Sequence, residues 1–136
     1  MDDDLTGDHM ILLADDDSSY AFFISELLCI YWRTVSLHHV TDGEKAIRFL
    51  VAAPDSNLPD VVLLDLNMPR MGGLEFLQKR MGDLRLSSVP TIVLTSSRSS
   101  HDRTMAEELG ADLFIQKPGS MDEADGMIES IRAYLR

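Results

Sequence analysis

Val61-Val62-Leu63-Leu64-Asp65-Leu66-Asn67-Met68-Pro69 is a short apolar, partly β-branched run that ends in one acid and then in Met-Pro. Apolar residues without alternation over so short a length fit a strand covered on both faces, the pattern of a parallel sheet inside an α/β domain. Such a strand delivers Asp65 to its C-terminal edge. Ligands and chemistry gather beyond the carboxyl ends of strands in these sheets. An acid placed there is either a functional group or a residue that caps the next turn through its side chain.

The same punctuation recurs outward from this stretch. Met10-Ile11-Leu12-Leu13-Ala14 is a compact apolar run that stops at Asp15-Asp16-Asp17, and residues 34–40 form another, ended by Thr41-Asp42-Gly43. Thr91-Ile92-Val93-Leu94 gives way to the polar segment 95–100, and the run 111–116 closes at Lys117-Pro118. Between the runs, apolar residues recur at helical spacing. Tyr20, Phe23, Ile24, Leu27, Leu28 and Tyr31 mark the first helix, with Asp17 or Ser18 as its N-cap. Ala46, Ile47, Leu50 and Val51 mark the second, and Leu74, Leu77 and Met81 the third, after Gly72-Gly73. A polar helix runs through Met105 and Leu109, and Ala124, Met127, Ile128 and Ile131 place a stripe on the last. Five strands alternating with five helices predict βαβ units, right-handed crossovers and helices on both faces of a parallel sheet. Segments 53–59 and 82–90 read as irregular. Phe22, Ile30 and Trp32 widen the first helix's stripe, which predicts wide burial rather than a self-association surface. Cys29, in the same pattern, reads as buried and inert.

A length of 136 residues suits one domain. Residues 1–8 are acidic and without periodicity and predict a flexible arm ahead of a domain over 9–136. The formal net charge of -11 argues against direct binding to nucleic acid, whose phosphates demand a cationic face. It fits a crowded group of carboxylates that attracts a cation. One cysteine excludes an internal disulfide framework and fits a reducing compartment. The acidic start differs from a basic secretory signal, and no run reaches the length of a membrane span. The expectation is a cytoplasmic protein without membrane insertion.

Three strand ends carry distinctive groups: Asp15, Asp16 and Asp17 after the first, Asp65 after the third and Lys117 after the fifth. The fourth ends in Thr95. In a parallel sheet these ends share one edge, so residues distant in sequence converge. Two or three carboxylates with water and a backbone carbonyl make a partial shell for Mg²⁺, a hard cation that prefers about six oxygens. Without a metal or Lys117 the carboxylates would repel one another, and one would keep a proton. An isolated acidic triplet reads first as a helix-capping loop; the set of strand ends changes that reading.

As a set, these residues resemble the receiver domain of bacterial two-component response regulators, over roughly residues 9–135. The resemblance rests on the acidic pair in Ile11-Leu12-Leu13-Ala14-Asp15-Asp16 and on Leu64-Asp65-Leu66-Asn67-Met68-Pro69 with Gly73. It rests equally on Thr95 after Val93-Leu94 and on Phe114-Ile115-Gln116-Lys117-Pro118. It implies a doubly wound, flavodoxin-like five-stranded parallel sheet of order 2-1-3-4-5 with five helices. Asp65 matches the aspartate that accepts a phosphoryl group from a histidine kinase's phosphohistidine. Asp16 and Asp65 match direct Mg²⁺ ligands, with Mn²⁺ as a substitute, while Asn67 offers its backbone carbonyl and Asp15 acts through water. Lys117 and Thr95 match the groups that meet phosphoryl oxygens, and Thr95 with Phe114 the conformational switch. A cis peptide before Pro118 is part of the pattern. The implied partners are a sensor histidine kinase or histidine phosphotransfer protein and a downstream protein, the chain being a monomer or weak homodimer. The resemblance implies no enzyme activity beyond catalysing its own phosphorylation and dephosphorylation at Asp65.

The long segments before Asp65 and Thr95 look like the stand-alone receivers that serve phytochrome-type kinases. Departures are Gly72, where many members carry Asp; Ser96, a position often held by Ala or Gly; and Phe114, where Tyr is common. Asn67 and Ser97 sit where the family tunes acyl-phosphate lifetime, and Asp17 is an extra acid suited to capping. A pseudo-receiver that never carries phosphate is the alternative, against which the complete set of site residues argues. A haloacid-dehalogenase-like phosphatase needs an acid two positions after its nucleophile, where this chain has Asn67. No glycine fingerprint for a dinucleotide follows the first strand. His9, His38, His39 and His101 lack metal-ligand spacing and read as structural or solvated.

Overall fold

The computed structural model describes residues 7–135. The arm expected at 1–8 therefore lies largely outside the described residues. The chain runs β1 (His9–Ala14), α1 (Ser18–Tyr31), β2 (Val35–Val40), α2 (Gly43–Ala52), β3 (Val61–Leu64), α3 (Gly73–Met81), α4 (Leu84–Ser87), β4 (Thr91–Thr95), α5 (Ser100–Glu108), β5 (Leu113–Gln116) and α6 (Met121–Arg132). All strand pairs are parallel, in the order β2-β1-β3-β4-β5. The central strands are buried on both faces, which is why their sequences do not alternate. One face packs Ile11, Leu13, Val61, Leu63, Ile92 and Leu94 against α1 and α6. The other packs Leu12, Ala14, Val62, Leu64 and Val93 against α2, α3, α4 and α5.

Three expectations are corrected. Among the described residues six α-helices form rather than five, because residues 84–87 within the segment read as irregular make a single turn. Its signal was a cap and not a period: the Asp83 side chain accepts from the Arg85 and Leu86 N–H groups, and four residues are too few to show helical spacing. Second, α1 buries only the face carrying Ala21, Ile24, Leu27 and Leu28. Trp32 beyond its end is buried, but Phe22 is 68% and Ile30 59% exposed, and Cys29 is exposed as well. These three lie on the opposite side of the helix, as its period of 3.6 residues requires. Third, the peptide before Pro118 is trans, like every other among the described residues.

The loop after β3 is tied to the start of α2. Asp42, fully buried, accepts from the Lys45 N–H at 2.8 Å as N-cap and from Arg70 Nε at 2.8 Å. The Gly43 N–H donates to the Met71 carbonyl at 2.7 Å, and a Cβ on Gly43 would stand 2.8 Å from that oxygen. Only glycine admits this approach. Arg70 adopts φ 62°, the left-handed region that non-glycine residues rarely enter. Burial pushes the Asp42 carboxyl up, but the Lys45 amide and Arg70 outweigh it and hold it below its usual 3.8. Its contribution to stability is therefore present above about pH 3.8 and is lost as pH falls through the lowered folded value. Arg70 is 59% exposed, so screening limits its share and the cap dominates. Asp42→Ala is expected to cost about 1–2 kcal/mol at neutral pH by urea unfolding. A deficit that persists unchanged once the folded carboxyl is protonated would contradict the charge-dependent part of this account.

Candidate functional site

The site forms where the parallel ladder runs one residue past β1 and β3. The Asp65 N–H donates to the Ala14 carbonyl at 2.9 Å and the Asp15 N–H to the Val40 carbonyl at 3.0 Å, so both acids emerge side by side at the C-terminal edge. Asp15 and Asp65 are buried, whereas Asp16 is exposed. One carboxylate oxygen from each of the three lies within 4.8 Å of the others. Among the described residues no other group of acids, histidines or cysteines converges in this way.

Each buried carboxylate has one oxygen held by backbone. Asp15 Oδ1 accepts from the Asp17 N–H at 2.9 Å, and Asp65 Oδ1 from the Leu66 N–H at 2.8 Å. Their other oxygens face Lys117, whose Nζ is 2.8 Å from Asp15 Oδ2 and 3.3 Å from Asp65 Oδ2. His39 Nε2 lies 2.7 Å from the Asp15 carbonyl oxygen and fixes the backbone of that acid. Burial raises the Asp15 carboxyl above its usual range and the Asp65 charge adds to the effect, against the opposing Lys117 and Asp17 contacts. Burial alone would lower the Lys117 ammonium, yet its hydrogen bond to Asp15 and the Asp65 charge outweigh it and the net shift is upward. Three carboxylates against one ammonium leave a negative excess in a partly desolvated place. That donor set, all oxygen and convergent, fits a hard divalent cation.

The remaining expected residues fall around this centre. Asn67 is exposed, with its N–H 3.5 Å from Asp65 Oδ1. Gly73 lets the loop fold back on the acid: a Cβ there would stand 2.4 Å from the Asp65 carbonyl oxygen. Thr95 is fully buried, and its hydroxyl accepts from the Ser97 N–H at 3.3 Å, turned into its own loop. The Lys117 N–H donates to the Thr95 carbonyl at 2.8 Å, so the β4–β5 ladder sets the lysine beside the threonine. Phe114 pairs with Val93 in that ladder and Gln116 with Thr95, which puts Phe114 and Thr95 on one face of the sheet. Phe114 is half-buried, and the Arg103 guanidinium lies 5.4 Å from its ring centroid. Ser97, Arg98, Arg103 and Phe114 line a groove of about 310 Å³ between α5 and β5.

Two residues that the sequence pattern does not place at the site border it. Tyr20, read as part of a core stripe, has its ring centroid 4.4 Å from Lys117 Nζ. His39 had no readable signal, because its partner is a backbone carbonyl and not a side chain in the sequence. Among the described residues no helix is long and apolar enough to cross a membrane.

The response regulator receiver domain family matches residues 11–129. The transcriptional regulatory protein CpxR of Klebsiella pneumoniae subsp. pneumoniae (strain HS11286) is 37% identical over 93% of this chain, which spans only 49% of that relative's length. The phosphorylated cyanobacterial phytochrome response regulator RcpA superposes with a TM-score of 0.83 at 25% identity, covering 95% of this chain and 94% of that one. The Mn²⁺-bound form of response regulator Rcp1 gives 0.80 at 27% identity, covering 94% and 95%. The sheet order, the convergent acids and these matches together make the chain a member of the response regulator receiver domain family of two-component signalling.

Proposed function

We propose that Asp65 accepts a phosphoryl group from the phosphohistidine of a sensor kinase or phosphotransfer protein and that the resulting acyl phosphate switches partner binding at the α5, β5 and α6 surface. The observation that carries this reading is the Lys117 ammonium shared between Asp15 Oδ2 and Asp65 Oδ2 beside a three-carboxylate cluster. Asp65 Oδ2 attacks phosphorus in line; the new P–O bond forms as the P–N bond breaks, and the leaving imidazole keeps the electron pair. Little covalent help is needed, so positioning and charge neutralisation carry most of the catalysis. Mg²⁺, or Mn²⁺ in its place, would be held by Asp15, Asp16, Asp65 and the Asn67 backbone carbonyl, and supplies neutralising charge to the phosphoryl oxygens when bound. Lys117 transfers its contact from Asp65 to a phosphoryl oxygen. The Thr95 hydroxyl leaves the Ser97 N–H for another, and Phe114 follows into the space that Thr95 vacates.

The neighbours support the reading, since RcpA is described as phosphorylated and Rcp1 as Mn²⁺-bound. The donor docks beside Lys117, where Phe23, Pro118 and Met121 line a shallow groove and Phe22 adds exposed apolar surface on α1. The chain works in the cytoplasm as a monomer or weak homodimer, and turns over no separate substrate.

The test is incubation with acetyl phosphate with and without Mg²⁺, read by intact mass, alongside thermal unfolding across Mg²⁺ concentrations. A phosphate-sized adduct that requires Mg²⁺ is expected, with a melting temperature that climbs as the cation saturates the folded state. No adduct with several donors, together with no binding of beryllofluoride, would replace this reading with the pseudo-receiver.

A further inference from the structure

Tyr20 stands at the site, and the proposed chemistry does not use it. Its ring centroid lies 4.4 Å from Lys117 Nζ, within the range of a cation–π contact. The first turn of α1 puts it there. The Tyr20 N–H donates to Asp17 Oδ1 at 3.1 Å, and the Asp17 N–H donates to Asp15 Oδ1 at 2.9 Å. The cap of α1, the orientation of the Asp15 carboxylate and the ring over the ammonium thus form one closed chain, because Asp15 Oδ2 meets the same ammonium at 2.8 Å. Phe23 backs the tyrosine, ring centroids 5.8 Å apart. Among the described residues the buried phenol oxygen has no hydrogen-bond partner, so the ring face and not the hydroxyl meets the charge. Burial, with the Asp15 and Asp65 charges, pushes the phenol far up and keeps it neutral.

We propose that Tyr20 is a positioning residue for Lys117, its ring holding the ammonium inside the site whatever the charge on the surrounding carboxylates. This rests on the phosphoryl-transfer reading of Asp65. At rest Asp15 holds the ammonium more closely than Asp65 does, at 2.8 Å against 3.3 Å. During transfer one Asp65 oxygen becomes the bridging oxygen of the acyl phosphate, and the lysine must exchange a carboxylate for a phosphoryl oxygen. Carboxylate attraction changes as that charge is consumed or countered, whereas the ring quadrupole does not. Without the ring, the flexible lysine stem regains rotamers that turn the ammonium toward water.

Two measurements test this on the full chain: the phosphorylation rate with acetyl phosphate and Mg²⁺, and the exchange of Lys117 ammonium protons with water in ¹⁵N-lysine-labelled, metal-free protein. Tyr20→Leu is expected to slow phosphorylation on the order of 10-fold, the scale of one desolvated cation–π contact, and to accelerate ammonium exchange. Tyr20→Phe, which carries the ring alone, restores both. If the leucine variant does not fold, Tyr20→Met fills the space without a ring and takes its place. The proposal is overturned if the ringless variant matches wild type in both measurements, if Tyr20→Phe loses as much as it does, or if the rate falls while exchange is unchanged. Wild-type protein that takes no phosphoryl group overturns the underlying reading instead, and the exchange measurement then decides alone whether the ring holds Lys117.

Discussion

Asp65→Asn is expected to abolish the phosphate adduct completely while leaving the fold intact. The two side chains are nearly isosteric, and the asparagine Oδ1 can still accept from the Leu66 N–H that Asp65 Oδ1 meets at 2.8 Å. What disappears is the proposed nucleophile and one of three convergent negative charges. The lost charge sits beside Asp15, whose carboxyl it helps to raise after burial, and Lys117 keeps Asp15 Oδ2 at 2.8 Å. Removing a like charge from a buried pair relieves repulsion. The variant should therefore melt at or above the wild-type temperature without metal, and respond less to Mg²⁺ because one of the proposed ligands is gone. Intact mass after acetyl phosphate, with thermal unfolding at several Mg²⁺ concentrations, checks all three points. A persistent adduct in the variant would move the acceptor elsewhere, and a collapse in stability would make Asp65 a structural residue first.

Arg80→Ala carries the largest expected cost in stability. Arg80 lies on α3 with 3% of its surface exposed, and its guanidinium serves three backbone carbonyls. Nη1 reaches Ser87 at 3.2 Å and Val89 at 3.0 Å, and Nη2 reaches Gly110 at 2.6 Å. It thereby clamps the entry to β4 and the turn before β5 onto α3. Asp112, 3.9 Å away and 40% exposed, adds little to this. Alanine would remove the guanidinium donors from all three carbonyls, leaving Val89 only the longer 3.4 Å contact from the Thr91 hydroxyl, and open a cavity where the long side chain lay. Together these cost about 3–5 kcal/mol, a large share of the roughly 5–15 kcal/mol available to a domain of this size. Arg80→Lys recovers only part of it, because a single ammonium cannot reproduce the planar fork. Urea unfolding that moved by less than about 1 kcal/mol would show that the carbonyls find other donors.

The receiver architecture was legible because its evidence is local and repeated. Each central strand is buried on both faces and so reads as an unbroken apolar run, and each run ends at the residue that the parallel ladder then carries to the shared edge. Asp15, Asp16, Asp65 and Lys117 could be grouped from their order alone, and the structure brings them together. The short helix at 84–87 is not legible because one turn shows no period, and the burial of α1 is not legible because an apolar side chain does not announce what lies opposite it. Phe22, Cys29 and Ile30 face outward since a helix laid on a sheet buries only one of its sides.

By itself, then, the sequence determined the alternation of strands and helices, the sheet that follows from it and the acids and lysine at one edge. The tertiary structure alone decided that Arg80 is buried, that Asp42 holds Arg70, that His39 fixes the Asp15 carbonyl and that Tyr20 lies over Lys117. The physical reason is the same in each case. Burial periodicity is written into neighbouring residues and can be read from them. A side chain captured by a carbonyl, a carboxylate or a ring from a distant segment leaves no local pattern, and its partner exists only once the chain has closed on itself.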